Sequence, residues 1–124
     1  MPEAFGGAGR DIWAAVAVIE ELCRAGPFLA GPFIHCAFYG GMNIAENGDA
    51  AQKAELLPKL ARGDLLFAYG LSEPDVGGDL ASVKTRARIE GASVVVNGAK
   101  RWCTGADWAD YIYCLVNSDA AAPK

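Results

Sequence analysis

The sequence is poor in the patterns that mark a metalloprotein, a nucleic-acid binder or a membrane protein. It has one histidine, His35, and its four cysteines, Cys23, Cys36, Cys103 and Cys114, contain no C-x-x-C pair. A structural zinc site needs clustered Cys and His ligands, so no metal is expected, and the cysteines read as buried free thiols of a reducing compartment. No run of basic residues occurs, and the net charge of -4 with a pI near 4.9 argues against nucleic acid or an anionic membrane as the main partner. Every apolar stretch falls well short of the roughly 20 residues that span a bilayer. The start "MPEAFGGAGRDIW" lacks the cationic and apolar regions of a signal peptide. The expectation is a soluble protein, cytoplasmic in a bacterium, with a mitochondrial location open should the true N-terminus lie upstream. Internal repeats and low-complexity tracts are also absent, apart from the terminal "AAAPK", which reads as a loop cut short.

What is present is enough apolar matter for a core. Of the 124 residues, 52% are hydrophobic and 21% charged, which suits one domain or two small pieces of a larger one. The first half has helical periodicity. Asp11 is a plausible N-cap, Ile12, Val16, Ile19, Leu22 and Cys23 recur at helical spacing, and Gly26-Pro27 stops the run. A second helix is expected from near Pro32 to Gly48, with the Gly40-Gly41 pair explained by close packing against a neighbour. A third is expected from near Asp49, broken or kinked at Pro58 and ended by Gly63. His35, on an apolar helix face, reads as a satisfied core histidine.

The second half changes period. "LLFAYGL" is a short buried-strand candidate, and "VKTRARIEG" alternates, with Val83, Thr85, Ala87 and Ile89 on one face. Asn97-Gly98 between β-prone runs predicts a hairpin turn, and "DYIYCLVNS" a further strand. The predicted fold class is α+β: a helical part over residues 1–63, then an antiparallel β-meander or partial barrel over 64–124.

Two segments carry candidate chemistry. "YGLSEPDVGGD", residues 69–79, is a polar, glycine-rich loop at the end of a predicted strand. Alone it fits either a turn or a ligand loop; its glycines do not match a P-loop, and they lead toward a strand, so a Rossmann assignment is poor. "NGAKRWCTGA" places Trp102 two residues before Thr104, and strand alternation would send both to one face. An exposed indole beside a hydroxyl suits a flat heteroaromatic ligand, by stacking and by a hydrogen bond to a ring nitrogen; the plainer reading is a core tryptophan with an incidental threonine. Glu73 is read as structural, fixing the loop by accepting backbone hydrogen bonds, rather than as a catalytic base. Asp79 is read as a second cap of that loop, and Lys100 and Arg101 as a solvated strand edge, one of which could approach a phosphate.

Taken in order, "PEAFGGAG", "LPKLARGDLLFAYGLSEPDVGGDLASVKTRA" and "VVVNGAKRWCTGADWADYIYCLVNSD" closely resemble the flavin-dependent acyl-CoA dehydrogenases over nearly the whole chain. The resemblance implies the later part of a helical N-terminal domain and the first strands of a middle β-domain. The opening helices, the rest of the β-domain and a C-terminal helical bundle would lie outside the sequence. It implies FAD as cofactor, held by Tyr69, Gly70, Leu71, Ser72, Gly77, Gly78, Trp102, Cys103 and Thr104. Leu71 would contribute a backbone contact, Ser72 a hydrogen bond to the flavin, Trp102 a packing surface, and Thr104 a hydrogen bond toward flavin N5. Cys103 stands where the family more usually has an aliphatic residue. Gly78 stands where the family often has a serine touching acyl-CoA, which leaves only backbone contact with substrate. The implied reaction is α,β-dehydrogenation of an acyl-CoA thioester with hydride passing to FAD N5. The catalytic glutamate falls beyond residue 124 in most members, so no catalytic residue is assigned here. Implied partners are the acyl-CoA substrate, an electron-transfer flavoprotein-like acceptor and, at full length, a homotetramer. The competing readings are a non-catalytic partial subunit or interaction module, and a same-fold acyl-CoA oxidase or flavin monooxygenase.

Overall fold

The computed structural model describes residues 1–9 and 11–118; the "AAAPK" loop lies outside them. The chain divides into two compact units. The first contains Met1–Ala68 and Gly105–Ile112, and the second Tyr69–Thr104 and the described residues from Tyr113 onward.

In the first unit a short 3-10 turn, Glu3–Phe5, precedes α1, Ile12–Ala25. Asp11 caps α1 as its sequence position suggests, its carboxylate accepting from the amides of Trp13 at 2.9 Å and Ala14 at 3.1 Å. Helix α2, Pro27–Ile34, follows at once rather than beginning near Pro32. Proline is best tolerated at the first helical position, where its missing N–H would have no partner, and Pro27 holds that place while Pro32 lies inside the helix. The chain continues as a π-helical segment, His35–Met42, and then α3, Asn43–Asn47. The glycine pair sits in the π segment for the reason anticipated: a Cβ on Gly40 would stand 2.8 Å from the Phe67 ring. His35 is half-buried, its ring 5.8 Å from that of Tyr39, and partial burial lowers its pKa.

Helix α4, Ala50–Arg62, is not broken at Pro58, which lies inside it. A reciprocal capping box starts α4, with Gln52 N donating to Asp49 Oδ1 at 2.8 Å and Asp49 N to Gln52 Oε1 at 2.9 Å. Burial of Leu57 and Leu60, on either side of the proline, offsets the amide it removes. Gly63, in the left-handed region at φ 78°, closes α4 as expected. Leu57, Leu60, Leu65 and Phe67 form the core, with Met1, Phe5, Cys36 and Ile44 among the side chains packed on it.

Strand β1, Phe67–Gly70, leaves that core. The Cys36 thiol sits at its start, 3.4 Å from Phe67 N and 3.8 Å from Leu65 O. The cysteines are free, but not uniformly buried: Cys23 and Cys114 are exposed and Cys36 and Cys103 partly so. Cys23 follows from α1, none of whose residues is buried among those described.

The small sheets pair β1 with β4, Tyr111–Cys114, and β2, Arg86–Glu90, with β3, Ser93–Asn97. The helical part followed by small sheets is therefore as expected, but only the β2–β3 hairpin is antiparallel. β1 and β4 run in the same direction, Tyr111 N meeting Leu66 O and Leu115 N meeting Gly70 O, so the hairpin is inserted between two parallel partners instead of a strand-by-strand antiparallel meander. Tyrosines stack along the first pair, Tyr111 on Phe67 at 5.4 Å and Tyr113 on Tyr69 at 5.9 Å. The hairpin turn is not Asn97-Gly98. Glu90 pairs with Ser93, leaving Gly91 and Ala92 as the loop, with Gly91 at φ 62° supplying the turn. Asn97 pairs with Arg86 at the other end, and Gly98 is needed for close approach, since a Cβ there would stand 2.4 Å from Thr85 Oγ1. The alternating face is also uneven: Thr85 is buried, Ala87 half-buried and Ile89 exposed.

Candidate functional site

The second unit builds the site from the end of β1, the loop after it, and the segment after β3. Gly70 is buried at the end of β1, its carbonyl accepting from Leu115 N at 3.0 Å. Beyond it, Glu73 and Val76 exchange backbone hydrogen bonds at 2.8 and 3.2 Å, so Pro74-Asp75 is folded into a tight turn. Asp79 precedes the following 3-10 turn but its carboxylate caps no backbone amide there, accepting instead from the Ser82 hydroxyl, so the expected cap is not formed.

Glu73 does what its position in the loop suggests. Its carboxylate accepts from Lys84 N at 2.7 Å and Thr85 N at 2.8 Å, tying the loop to the start of β2. A third donor corrects the reading of Lys100 as a solvated edge: its Nζ lies 2.9 Å from Glu73 Oε1, and the two side chains are 11% and 4% exposed. The same ammonium donates to the Leu71 carbonyl at 3.0 Å. The Glu73 pKa is lowered to about 2. The Thr85 hydroxyl dipole contributes most, although it falls short of full hydrogen-bond geometry. Desolvation opposes the shift, and the two amides and Lys100 support it.

These contacts bring two of the predicted segments together. Arg101 N donates to Ser72 O at 2.8 Å, so the residue before Trp102 is hydrogen-bonded to the loop at Ser72. Trp102 does not lie on a strand, so alternation does not set its direction; it stands alone among the described non-glycine residues at positive φ, 62°. That conformation costs a bulky residue about 1–3 kcal/mol and persists only where its surroundings over-determine it. The indole is 74% exposed, with the Arg101 guanidinium 4.4 Å from the ring centroid. Thr104 N turns back to Trp102 O at 3.0 Å, placing exposed Thr104 and half-buried Cys103 directly after the indole.

The other predicted site residues divide. Leu71 and Ser72, both half-buried, join the Trp102 segment through the contacts above. Tyr69 faces Tyr113 on the β1–β4 pair. Gly77 and Gly78 lie exposed in the outer loop, with nothing within 4 Å of where a Cβ would stand, so no packing within this chain requires glycine at either position. What sequence reasoning missed is Lys100. Its partner is 27 residues away, and no local pattern marks the pair. Among the described residues no group of Cys, His, Asp and Glu side chains is arranged to hold a metal, and no helix is long and apolar enough to cross a membrane.

A helical part leading into small sheets, with a tied loop and an outward indole, defines a class that comparison with known proteins identifies. The family models for the acyl-CoA dehydrogenase N-terminal domain and middle domain match residues 1–64 and 68–124. The chain belongs to the acyl-CoA dehydrogenase family. The acyl-CoA dehydrogenase FadE26 of Mycobacterium tuberculosis is 36% identical over 121 residues, covering 95% of this chain and 29% of that protein. The crystal structure of an acyl-CoA dehydrogenase from Geobacillus kaustophilus superposes with a TM-score of 0.86 at 34% identity, over 98% of this chain and 32% of that one. An acyl-CoA dehydrogenase from Bacillus anthracis solved in complex with FAD gives a TM-score of 0.80 at 35% identity, over 94% of this chain and 21% of that one. The chain thus spans about a third or less of the length of these relatives.

Proposed function

We propose that this chain contributes part of the flavin wall of an FAD-dependent acyl-CoA dehydrogenase. The observation that carries the reading is the outward Trp102 indole, next to a residue hydrogen-bonded to Ser72. An exposed indole on a strained backbone is costly without a ligand, and the neighbouring Ser72 and Thr104 supply hydroxyls suited to a polar aromatic ring. These residues fit a flavin. FAD, when bound, supplies the acceptor for the hydride that leaves the β-carbon of an acyl-CoA thioester.

In this reading the residues from Tyr69 to Leu71 line one side of the ring, and Ser72 and Thr104 donate to it. Trp102 packs on it and, with Cys103, excludes water. Gly77 and Gly78 leave the loop open to close approach, and Gly78 meets acyl-CoA through its backbone. Residues 1–63 belong to the helical domain and 64–124 to the middle domain. The carboxylate that removes the α-proton is assigned beyond residue 124, so no described residue is called catalytic. The full-length partners would be an electron-transfer flavoprotein-like acceptor and three further copies of the subunit.

The test is to titrate FAD into the chain and to assay the longer protein for acyl-CoA-dependent bleaching of bound flavin. Folded protein showing neither sinks the reading. A second reading, a non-catalytic docking piece, draws on the exposed Trp13, Phe28 and Trp108, which are 81%, 79% and 80% accessible. A stable monomer without flavin affinity in gel filtration and titration would favour it. Rapid reaction of the reduced flavin with oxygen would favour an oxidase or monooxygenase instead.

A further inference from the structure

We propose that Lys100 is a positioning residue: clasped by Glu73 and the Leu71 carbonyl, it holds Trp102 in the left-handed backbone conformation that turns the indole outward. The inference rests on the proposed flavin wall for its purpose, but its geometry is independent of any ligand.

The argument begins with the strain. A tryptophan gains nothing locally from φ 62°, so neighbouring contacts must impose it. Those contacts lie immediately before it. Lys100 Nζ is anchored twice, to Glu73 Oε1 at 2.9 Å and to Leu71 O at 3.0 Å, and the next residue's amide is spent on Ser72 O at 2.8 Å. Residues 100 and 101 are thereby fixed to 71, 72 and 73, and the chain must reverse at 102 to reach the turn closed by Thr104 N on Trp102 O. The anchor is itself braced. Glu73 also accepts from the amides of Lys84, at Oε2, and Thr85, at the same Oε1 that meets Lys100, so it cannot follow Lys100 if the segment drifts. Glu73 is buried and the Lys100 side chain only 11% exposed, which makes removal of either alone disruptive, because the remaining charge loses its partner. Lys84, by contrast, pairs with Asp75 in the open and sets no such constraint, its side chain being 69% exposed.

The experiment uses the chain with Trp13→Phe and Trp108→Phe, leaving Trp102 as the one fluorophore among its tryptophans. Acrylamide quenching of Trp102 and hydrogen exchange at the Arg101 amide are read without flavin in Lys100→Met, Lys100→Arg and the control Lys84→Met. The expected result is a change of about twofold in the quenching constant and about tenfold faster Arg101 exchange for Lys100→Met. Partial recovery is expected for Lys100→Arg, and no change for Lys84→Met. Unchanged values in a Lys100→Met chain that keeps its circular dichroism overturn the proposal. Should Lys100→Met unfold, the neutral double variant Lys100→Met/Glu73→Gln decides on the same readings. If the double variant also unfolds, the pair is a general support of the unit and the proposal fails. Flavin titration of the unaltered chain separates the two claims. Absent flavin binding with Lys100-dependent exchange removes the flavin reading and leaves the positioning role; flavin binding with Lys100-independent exchange does the reverse.

Discussion

The amide of Arg101 donates to the carbonyl of Ser72 at 2.8 Å, so segments almost 30 residues apart in sequence meet one residue before the indole. Trp102→Gly tests what that placement is for. Glycine adopts φ 62° without strain, and the lost indole is 74% exposed, so the denaturant midpoint should hold or rise. FAD affinity should fall about tenfold, since a stacked aromatic contact is worth about 0.5–1.5 kcal/mol beyond its area. A fluorescence titration alongside urea unfolding reads both; a lower midpoint with unchanged affinity would reverse the assignment.

Glu73 predicts an acid limb of stability. Its folded pKa, about 2, lies below the ordinary carboxylate value of 4.5, so the folded state favours the charged form. The contribution is complete above about pH 4.5 and is lost as pH falls from there toward 2. Urea midpoints measured across that window should drop steeply for the unaltered chain and less for Glu73→Gln. Equal slopes would show that the carboxylate is not held as described.

Gly40→Ala should destabilise the helical unit by about 1–3 kcal/mol through overpacking, because the new methyl would meet the Phe67 ring. Guanidinium unfolding followed by circular dichroism checks it, and a neutral effect would mean the ring moves aside freely.

Leu57→Ala removes a side chain with 0% exposure from the centre of the core and should cost about 2–5 kcal/mol. The measurement is the same denaturant midpoint, and a loss below that range would mark a core that collapses around the cavity.

What could be read in the sequence was what is local. Asp11 caps α1 and Gly63 ends α4 because each acts within a turn of itself. The break considered at Pro58 does not occur because it depends on what the rest of the helix buries, and Leu57 and Leu60 flank Pro58 closely enough to hold α4 together. The hairpin was misplaced because two glycine steps compete. Gly91 makes the turn, while Gly98 answers a steric demand from Thr85, which lies 13 positions away by residue number and invisible to any short window. The Ser72 loop and Trp102 were legible as candidates from composition and resemblance. Their joining through Lys100 was not, since an ion pair across 27 residues leaves no spacing signal.

Among the described residues of the second unit, the most deeply enclosed include Glu73 and Thr85, with Val76 the one large aliphatic side chain among them, while Ile89 and Val94 of the hairpin are exposed. Oily interiors forgive exchange among similar shapes; a clasp of directional bonds does not. A saturation survey of this chain should therefore find Glu73 and Lys100 among the least tolerant positions of this half.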